Sequence, residues 1–385
     1  MQECFSFYKN IDNKNLRYLI ALTRSDGIGT KTLYNLLNYH KTLENVYDYI
    51  KNSDNKNIIL KELSYSDYEY ELNIKNNSKI VTIFDDAYPY LLKQIDSPPP
   101  FLSVKGSVDI LNTKIIGMVG AREASFSGLN IAKLLTEKIP TKFTTISGLA
   151  RGVDTVLHEN SLNHGTIGVI AQGIGSVYPK ENAYLYDKIV DNNGAVISEM
   201  NPNATPIAKH FPKRNRIIAG MCFALIVIEA SLKSGSIITA EHALEYGRDI
   251  LVVPGFPLDP RYKGSNALIK EGAYMINDIN DAINYALEAS TKYENIGNKS
   301  ILQRKKQQQL SFYKKEELAP KCHLNNKEDE EGAKGKVYKL LSASPVDLEI
   351  IQQSINLPIE NILSLLLELE LEDKITKYCN GYVKI

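Results

Sequence analysis

The 385-residue chain has no tryptophan and only four cysteines, Cys4, Cys222, Cys322 and Cys379. None forms a CxxC pair and only Cys322 has an adjacent histidine, His323, which excludes a zinc knuckle and points to reduced thiols. Long apolar runs are missing as well. Stretches such as Phe223 to Ile228 fall well short of the roughly 20 residues of a membrane-spanning helix, so no integral membrane segment is expected. The N-terminus MQECFSFYKNIDNK is polar and lacks the apolar core of a secretory signal, which predicts a cytoplasmic protein. Charge of either sign is not in excess: 45 Lys and Arg balance 45 Asp and Glu. Overall charge therefore attracts no polyanion, and nucleic acid could be held only by a local concentration of cations. Familiar catalytic signatures are absent too: there is no GxxxxGK[ST], GxSxG or HExxH, and no complete GxGxxG after the run KIIGMVG. Nor does the next strand, FTTISG, end in the acid that a dinucleotide ribose would want. No ATP, NAD, FAD or metal cofactor is expected.

What is present is ample apolar side chain, 43% of residues, in a chain too long for one small module, which predicts two or three domains. Residues 1–78 read as a small helical domain, with LRYLIALTRS, TKTLYNLLNYH and LENVYDYI at helical spacing around Gly27-Ile28-Gly29. Residues 79–288 alternate strands (KIVTIFD, KIIGMVG, FTTISG, TIGVIAQG, GAVISEM, ALIVIEA, DILVVPG) with amphipathic stretches. This rhythm predicts a doubly wound α/β domain, an extended Rossmann-like mostly parallel sheet buried on both faces. Residues 289–332, rich in charge runs and glutamine, read as a flexible linker. Residues 333–385 read as a winged-helix domain of three helices and a hairpin across Asn380-Gly381. Its third helix carries Glu360, Glu368, Glu370, Glu372 and Asp373, so a surface for protein, or for nothing, is expected there rather than one for duplex DNA.

Three glycine-bearing loops precede helices at strand ends: Gly120-Ala121-Arg122 ahead of Ser125, Ser147-Gly148 through Gly152, and Ser234-Gly235-Ser236 ahead of Thr239. Glycine lets a backbone approach a ligand, and helix starts offer free N–H groups to anions, although capping and turn formation use the same residue types. The segment Lys209-His210-Phe211-Pro212-Lys213-Arg214-Asn215-Arg216 lies in a stretch with no acid between Glu199 and Glu229. Cations around one aromatic ring suit phosphates and a stacked base, the combination that holds single strands. A solvated basic turn with Phe211 in the core is the alternative.

These patterns resemble the DNA-processing protein DprA (Smf) family. The matching residues run in order: Tyr88-Pro89 to Gly106; Gly120-Ala121-Arg122 with Ser125 and Gly128; Ser147-Gly148 to Asp154; Gly173, Gly175 and Tyr178-Pro179; Ser198-Glu199; Phe211-Pro212-Lys213-Arg214-Asn215-Arg216; Ser234-Gly235-Ser236; Gly247-Arg248; and Pro254-Gly255. The resemblance implies a non-catalytic, homodimeric single-stranded DNA-binding protein that loads RecA recombinase onto incoming DNA in natural transformation. It implies DNA contacts at Arg122, Phe211, Arg214, Arg216 and Ser234 to Ser236. Combined with the loop reading, the expected nucleic-acid site comprises Arg122, Ser125, Ser147, Gly148, Lys209, Phe211, Arg214, Arg216, Ser234, Gly235, Ser236 and Thr239. Arg122, Lys209, Arg214 and Ser236 are assigned to phosphates and Phe211 to a base. Asn215 and Arg216 could instead be structural, pairing with Glu199 or Glu229. Gly27-Ile28-Gly29 resembles the turn of a helix-hairpin-helix or SAM-like module. The competing enzymatic reading is a nucleotide hydrolase similar to the LOG-type phosphoribohydrolases, with Glu229 as catalytic acid or Glu241 beside the Ser234 loop.

Overall fold

The computed structural model describes residues 11–53, 57–297, 337–338, 341, 346–355, 359–372, 374–378 and 381–384. The chain divides into two compact units, on either side of residue 314.

The first unit opens with four helices: α1 (Asn13–Arg24), α2 (Thr30–His40), α3 (Leu43–Lys51) and α4 (Leu63–Lys75). Asp12 caps α1 and Thr42 caps α3 through their side-chain oxygens. The first three helices follow the apolar spacing of the sequence. α4 does not: its buried residues are Ser66, Glu69 and Asn73, a polar stripe at i, i+3 and i+7.

A nine-stranded sheet follows, built from β1 (Ser78–Thr82), β2 (Phe101–Gly106), β3 (Lys114–Gly120), β4 (Phe143–Ser147), β5 (Thr166–Val169), β6 (Ala195–Ser198), β7 (Ala224–Ile228), β8 (Asp249–Val252) and β9 (Tyr274–Met275). Their order is β1-β2-β6-β5-β4-β3-β7-β8-β9, with β2 antiparallel to both β1 and β6 and every other pair parallel. The strands β2 and β9 escaped the sequence reading. Between the strands run α5 (Phe126–Lys138), α6 (Val153–Ser161), α7 (Ala183–Asp191), α8 (His210–Met221), α9 (Gly235–Glu245) and α10 (Lys263–Lys270), and α11 (Ile279–Gly297) follows β9.

Alternate strand residues separate the two faces. Ile115, Val119, Leu225 and Val227 pack with α8, α9 and α10, and the same core continues into Leu19, Leu33 and Val46 of the N-terminal helices. Ile116, Met118, Ala224 and Ile226 pack with α5, α6 and α11 on the opposite face, and α7 closes a smaller cluster around Leu149 and Val196. Two boundaries expected from sequence therefore change. The helices before residue 78 share a core with the sheet instead of forming a core of their own. α11 runs on to Gly297, into the stretch read as linker, because Ala282, Ala286 and Ala289 recur at helical spacing against the sheet. The rest of that stretch lies outside the described residues.

In the second unit, a three-stranded sheet (β10, Val346–Asp347; β11, Ile375–Tyr378; β12, Gly381–Lys384; order β10-β12-β11) accompanies α12 (Leu348–Ile355) and α13 (Ile359–Leu371). Ile351, Ile362, Leu366, Leu369 and Ile375 form its core. This is the winged-helix arrangement, and most of the first helix expected there lies outside the described residues. Tyr378 pairs with Gly381, so Gly381 belongs to β12, while Asn380 lies outside the described residues.

Candidate nucleic-acid interface

Every parallel strand ends at one edge of the sheet. β3 continues into α5 on one side while β7 continues towards β8 on the other, so the reversal of strand order lies between β3 and β7, where doubly wound sheets usually open a ligand crevice. Here the crevice is filled from within. Glu229, fully buried and held at φ +50°, leaves β7 and points its carboxylate at the start of α5. It accepts the Ser125 backbone N–H (2.7 Å), the Ser125 hydroxyl and the Tyr262 hydroxyl (2.8 Å). Gly128 makes room for it, since a Cβ there would lie 2.6 Å from the carboxylate. The next loop is filled in the same way: the Asp154 carboxylate accepts the N–H groups of Gly148 (3.0 Å) and Ala150 (3.3 Å). Burial raises the Asp154 pKa, against the opposing influence of the Arg214 guanidinium.

These carboxylates redirect several expected ligands. Ser125 is the α5 cap and is bound to Glu229. Ser147 is buried and donates to the Met118 carbonyl (2.6 Å). Gly148 admits a side chain instead of a phosphate, because a Cβ there would lie 2.4 Å from Nη1 of Arg214. Ser234 caps α9, Ser236 donates to the Gly120 carbonyl (2.8 Å), and Thr239 donates to the Gly235 carbonyl (3.0 Å). Gly235 itself is exposed.

The basic segment is the first two turns of α8, and its 3.6-residue period divides its cations. Lys209 and Lys213 face solvent, whereas Arg214 and Asn215 turn into the core. Arg214 donates to the carbonyls of Gly148 and Val169 and to Asn215 Oδ1 (3.1 Å). Burial, with Arg122 nearby, lowers its pKa to about 10 although Asp154 pulls the other way. Asn215 donates to the Gly235 carbonyl (3.0 Å). Arg216 pairs with both oxygens of Glu199 (2.6 and 2.7 Å). The phosphate role expected for Arg214 and the DNA contact expected for Arg216 thus meet side chains already bound inside the protein.

What remains open at this edge is a small constellation. The exposed Arg122 guanidinium sits 5.3 Å from the Phe211 ring centre, and the Tyr178 ring meets Phe211 edge-on at 5.9 Å. Arg122, Arg151, Gln172, Tyr178, Phe211 and Arg214 line a cleft of about 50 Å³, far smaller than the roughly 300 Å³ or more of an enclosing ligand pocket. It is a dent in an open surface. Arg151, in an exposed pair with Glu181 (2.5 Å), and Tyr178 were not among the expected ligands. The signal for Tyr178 lay in Gly173, Gly175 and Tyr178-Pro179, which mark a tight loop whose position opposite Phe211 only the fold supplies.

Comparison with known proteins decides the family. A model described as DNA recombination-mediator protein A matches residues 79–287, and one described as the DprA winged helix domain matches residues 325–378. The chain belongs to the DNA recombination-mediator protein A family. The DNA processing protein DprA of Streptococcus pneumoniae is 41% identical over 204 residues, covering 52% of this chain and 72% of that protein. Protein Smf of Escherichia coli is 31% identical over 312 residues, covering 80% and 78%. The X-ray structure of DprA from Streptococcus pneumoniae superposes with a TM-score of 0.59 at 31% identity, covering 71% of this chain and 98% of that one. Within this family scaffold the Glu229 side chain is fully buried with both oxygens engaged by Ser125 and Tyr262. Among the described residues no group of three or more His, Cys, Asp or Glu is placed to hold a metal ion, and no helix is long and apolar enough to cross a membrane.

Proposed function

We propose that this recombination mediator binds single-stranded DNA without catalysis, along the open edge marked by Arg122, Phe211 and Tyr178, and loads RecA recombinase onto the bound strand. The observation that carries the reading is Phe211, half-buried between the Arg122 guanidinium and the Tyr178 ring. Aromatic faces beside mobile cations accept unpaired bases of any sequence while the cations track the backbone. Lys209, Lys213 and Lys180 are exposed, and no acidic residue occurs from 200 to 228. Weak sequence preference and strong salt dependence follow. A nucleotide hydrolase would need a free acid in an enclosing pocket, whereas Glu229 is engaged and the cleft is shallow.

RecA loading, a cytoplasmic site of action, homodimerisation and a role in natural transformation belong to the same proposal and draw their support from the family. The test is oligothymidine binding by the Arg122→Ala/Phe211→Ala double variant. Loss of binding with an unchanged circular dichroism spectrum is expected, and unchanged affinity would refute the assignment. Release of free base from nucleoside monophosphates would favour the hydrolase instead, and dilute-solution light scattering reports the dimer.

A further inference from the structure

The N-terminal helices reach the cleft through one polar chain. On α4, Glu69 has a fully buried side chain and accepts Nε of Arg24 (3.0 Å to each oxygen) and Nη2 of Arg24 (2.7 Å). A buried pair of this kind is costly to break, because the remaining charge has no partner. Both members of the pair touch the segment that follows β6. Arg24 Nη1 donates to the Glu199 carbonyl (3.0 Å), and Asn201 Nδ2 donates to Glu69 (3.0 Å) and to the Tyr65 hydroxyl (2.9 Å).

The segment held in this way leads to one aromatic wall of the cleft and is hydrogen-bonded to the loop that bears the other. Its downstream end leads through Lys209 into Phe211. Its near end is tied to the loop bearing Tyr178, for Gly173 N–H donates to the Ala204 carbonyl (2.9 Å) and Gly175 N–H to the Pro202 carbonyl (3.0 Å). The approach is so close that a Cβ on Gly173 would lie 2.2 Å from the carbonyl oxygens of Asn201 and Pro202. α4 itself abuts the same loop, with the Asn76 amide 2.9 Å from where a Gly175 Cβ would stand. A displacement of Asn201 therefore moves the Phe211 wall and the Tyr178 wall together.

We infer that Glu69, Arg24 and Asn201 are positioning residues for the aromatic cleft, so that the N-terminal helices serve the nucleic-acid site by setting its width and not only by offering a surface of their own. The inference rests on the binding reading above for its functional consequence, but its geometric part can be tested without DNA. The chain lacks tryptophan, so Tyr178→Trp provides a single reporter in the cleft wall. In that background Asn201→Ala removes the side-chain bonds to Glu69 and Tyr65 while leaving the Arg24–Glu69 pair and the Arg24 bond to the Glu199 carbonyl in place, and Glu69→Gln presents an amide to donors that need an acceptor. Both are expected to raise acrylamide quenching of the introduced indole at a temperature where circular dichroism is unchanged. Both should also weaken oligothymidine binding by about tenfold, the scale of hydrogen bonds to a charged group, with the salt slope preserved because no phosphate-facing cation is removed. Should Glu69→Gln not fold, Asn201→Ala, at a half-buried position, still decides the point. Quenching and affinity both unchanged by Asn201→Ala would overturn the inference. Failure of the protein with Tyr178 intact to bind any oligonucleotide would count against the binding reading alone, since the quenching comparison needs no ligand.

Discussion

Phe211 and Lys209 stand two residues apart, yet they should fail in different ways. Lys209 is exposed at the start of α8. If it neutralises one phosphate of a single strand, its removal lowers the slope of log affinity against log salt by about 0.7, and at 0.1 M salt that is about a fivefold loss. Phe211 carries no charge. Its ring is half-buried against Tyr178 and Arg122, so Phe211→Ala removes a stacking face worth about 1–3 kcal/mol, roughly a 5- to 150-fold loss, and leaves the slope unaltered. Fluorescence anisotropy with labelled oligothymidine at four salt concentrations separates the two. The lysine variant should converge with wild type as salt rises, and the phenylalanine variant should run parallel to it. Parallel lines for Lys209→Ala, or a changed slope for Phe211→Ala, would refute the division of labour between backbone and base.

Arg214→Ala should act through folding: it strips donors from the buried Gly148 and Val169 carbonyls, costing about 1–3 kcal/mol for each acceptor left unsatisfied, in chemical denaturation. Gly148→Ala should destabilise in the same direction, because its Cβ would displace that guanidinium. Arg216→Gln should leave the salt slope of binding unchanged, since Arg216 is paired with Glu199 and faces no phosphate; a slope lowered by about 0.7 would place it back among the DNA ligands. His158 is fully buried, with Nδ1 2.7 Å from the Thr166 hydroxyl, and burial lowers its pKa from 6.5 to about 3. The unfolded chain then binds a proton below pH 6.5 that the folded chain refuses until about pH 3, so stability is full above 6.5 and is lost as pH falls, by about 2 kcal/mol at pH 5. Comparing wild type with His158→Gln across pH 5–8 isolates this contribution from that of Asp154, whose raised pKa acts in the opposite direction; equal pH dependence in both would exclude it.

Much of the fold was legible because its signals are apolar. Seven strands announced themselves as Val- and Ile-rich runs, and the helices whose buried face is aliphatic followed. α4 escaped because the face it buries is Ser66, Glu69 and Asn73, which hydrophobic periodicity reads as solvent-facing. Of the residues expected at the site, Arg122 and Lys209 are exposed and Phe211 is half-buried beside Arg122, which is as far as their sequence pattern can be followed into the fold. The placement of Arg214 follows from periodicity: the basic segment is helical, and three residues beyond Phe211 the helix sets this guanidinium in the buried lining of the cleft, bonded to the Gly148 and Val169 carbonyls.

The glycine-bearing loops hold a deeper ambiguity. A helix start preceded by glycine signals an anion-binding site, but the sequence does not say whose anion. In this chain two of the three candidate loops are occupied by the protein's own carboxylates, Glu229 at the start of α5 and Asp154 ahead of α6, each residing far from or several residues beyond the groups it binds. Burying a carboxylate is unfavourable unless donors surround it, and in these two loops the backbone N–H groups of Ser125, Gly148 and Ala150 are spent on that task. With Glu229 seated between β3 and β7, what opens at this edge is the shallow cleft lined by Arg122, Phe211 and Tyr178, and the ligand proposed for it is one that can lie across a surface. An extended strand meets that requirement, because it contacts a surface at many points and needs no cavity at any of them.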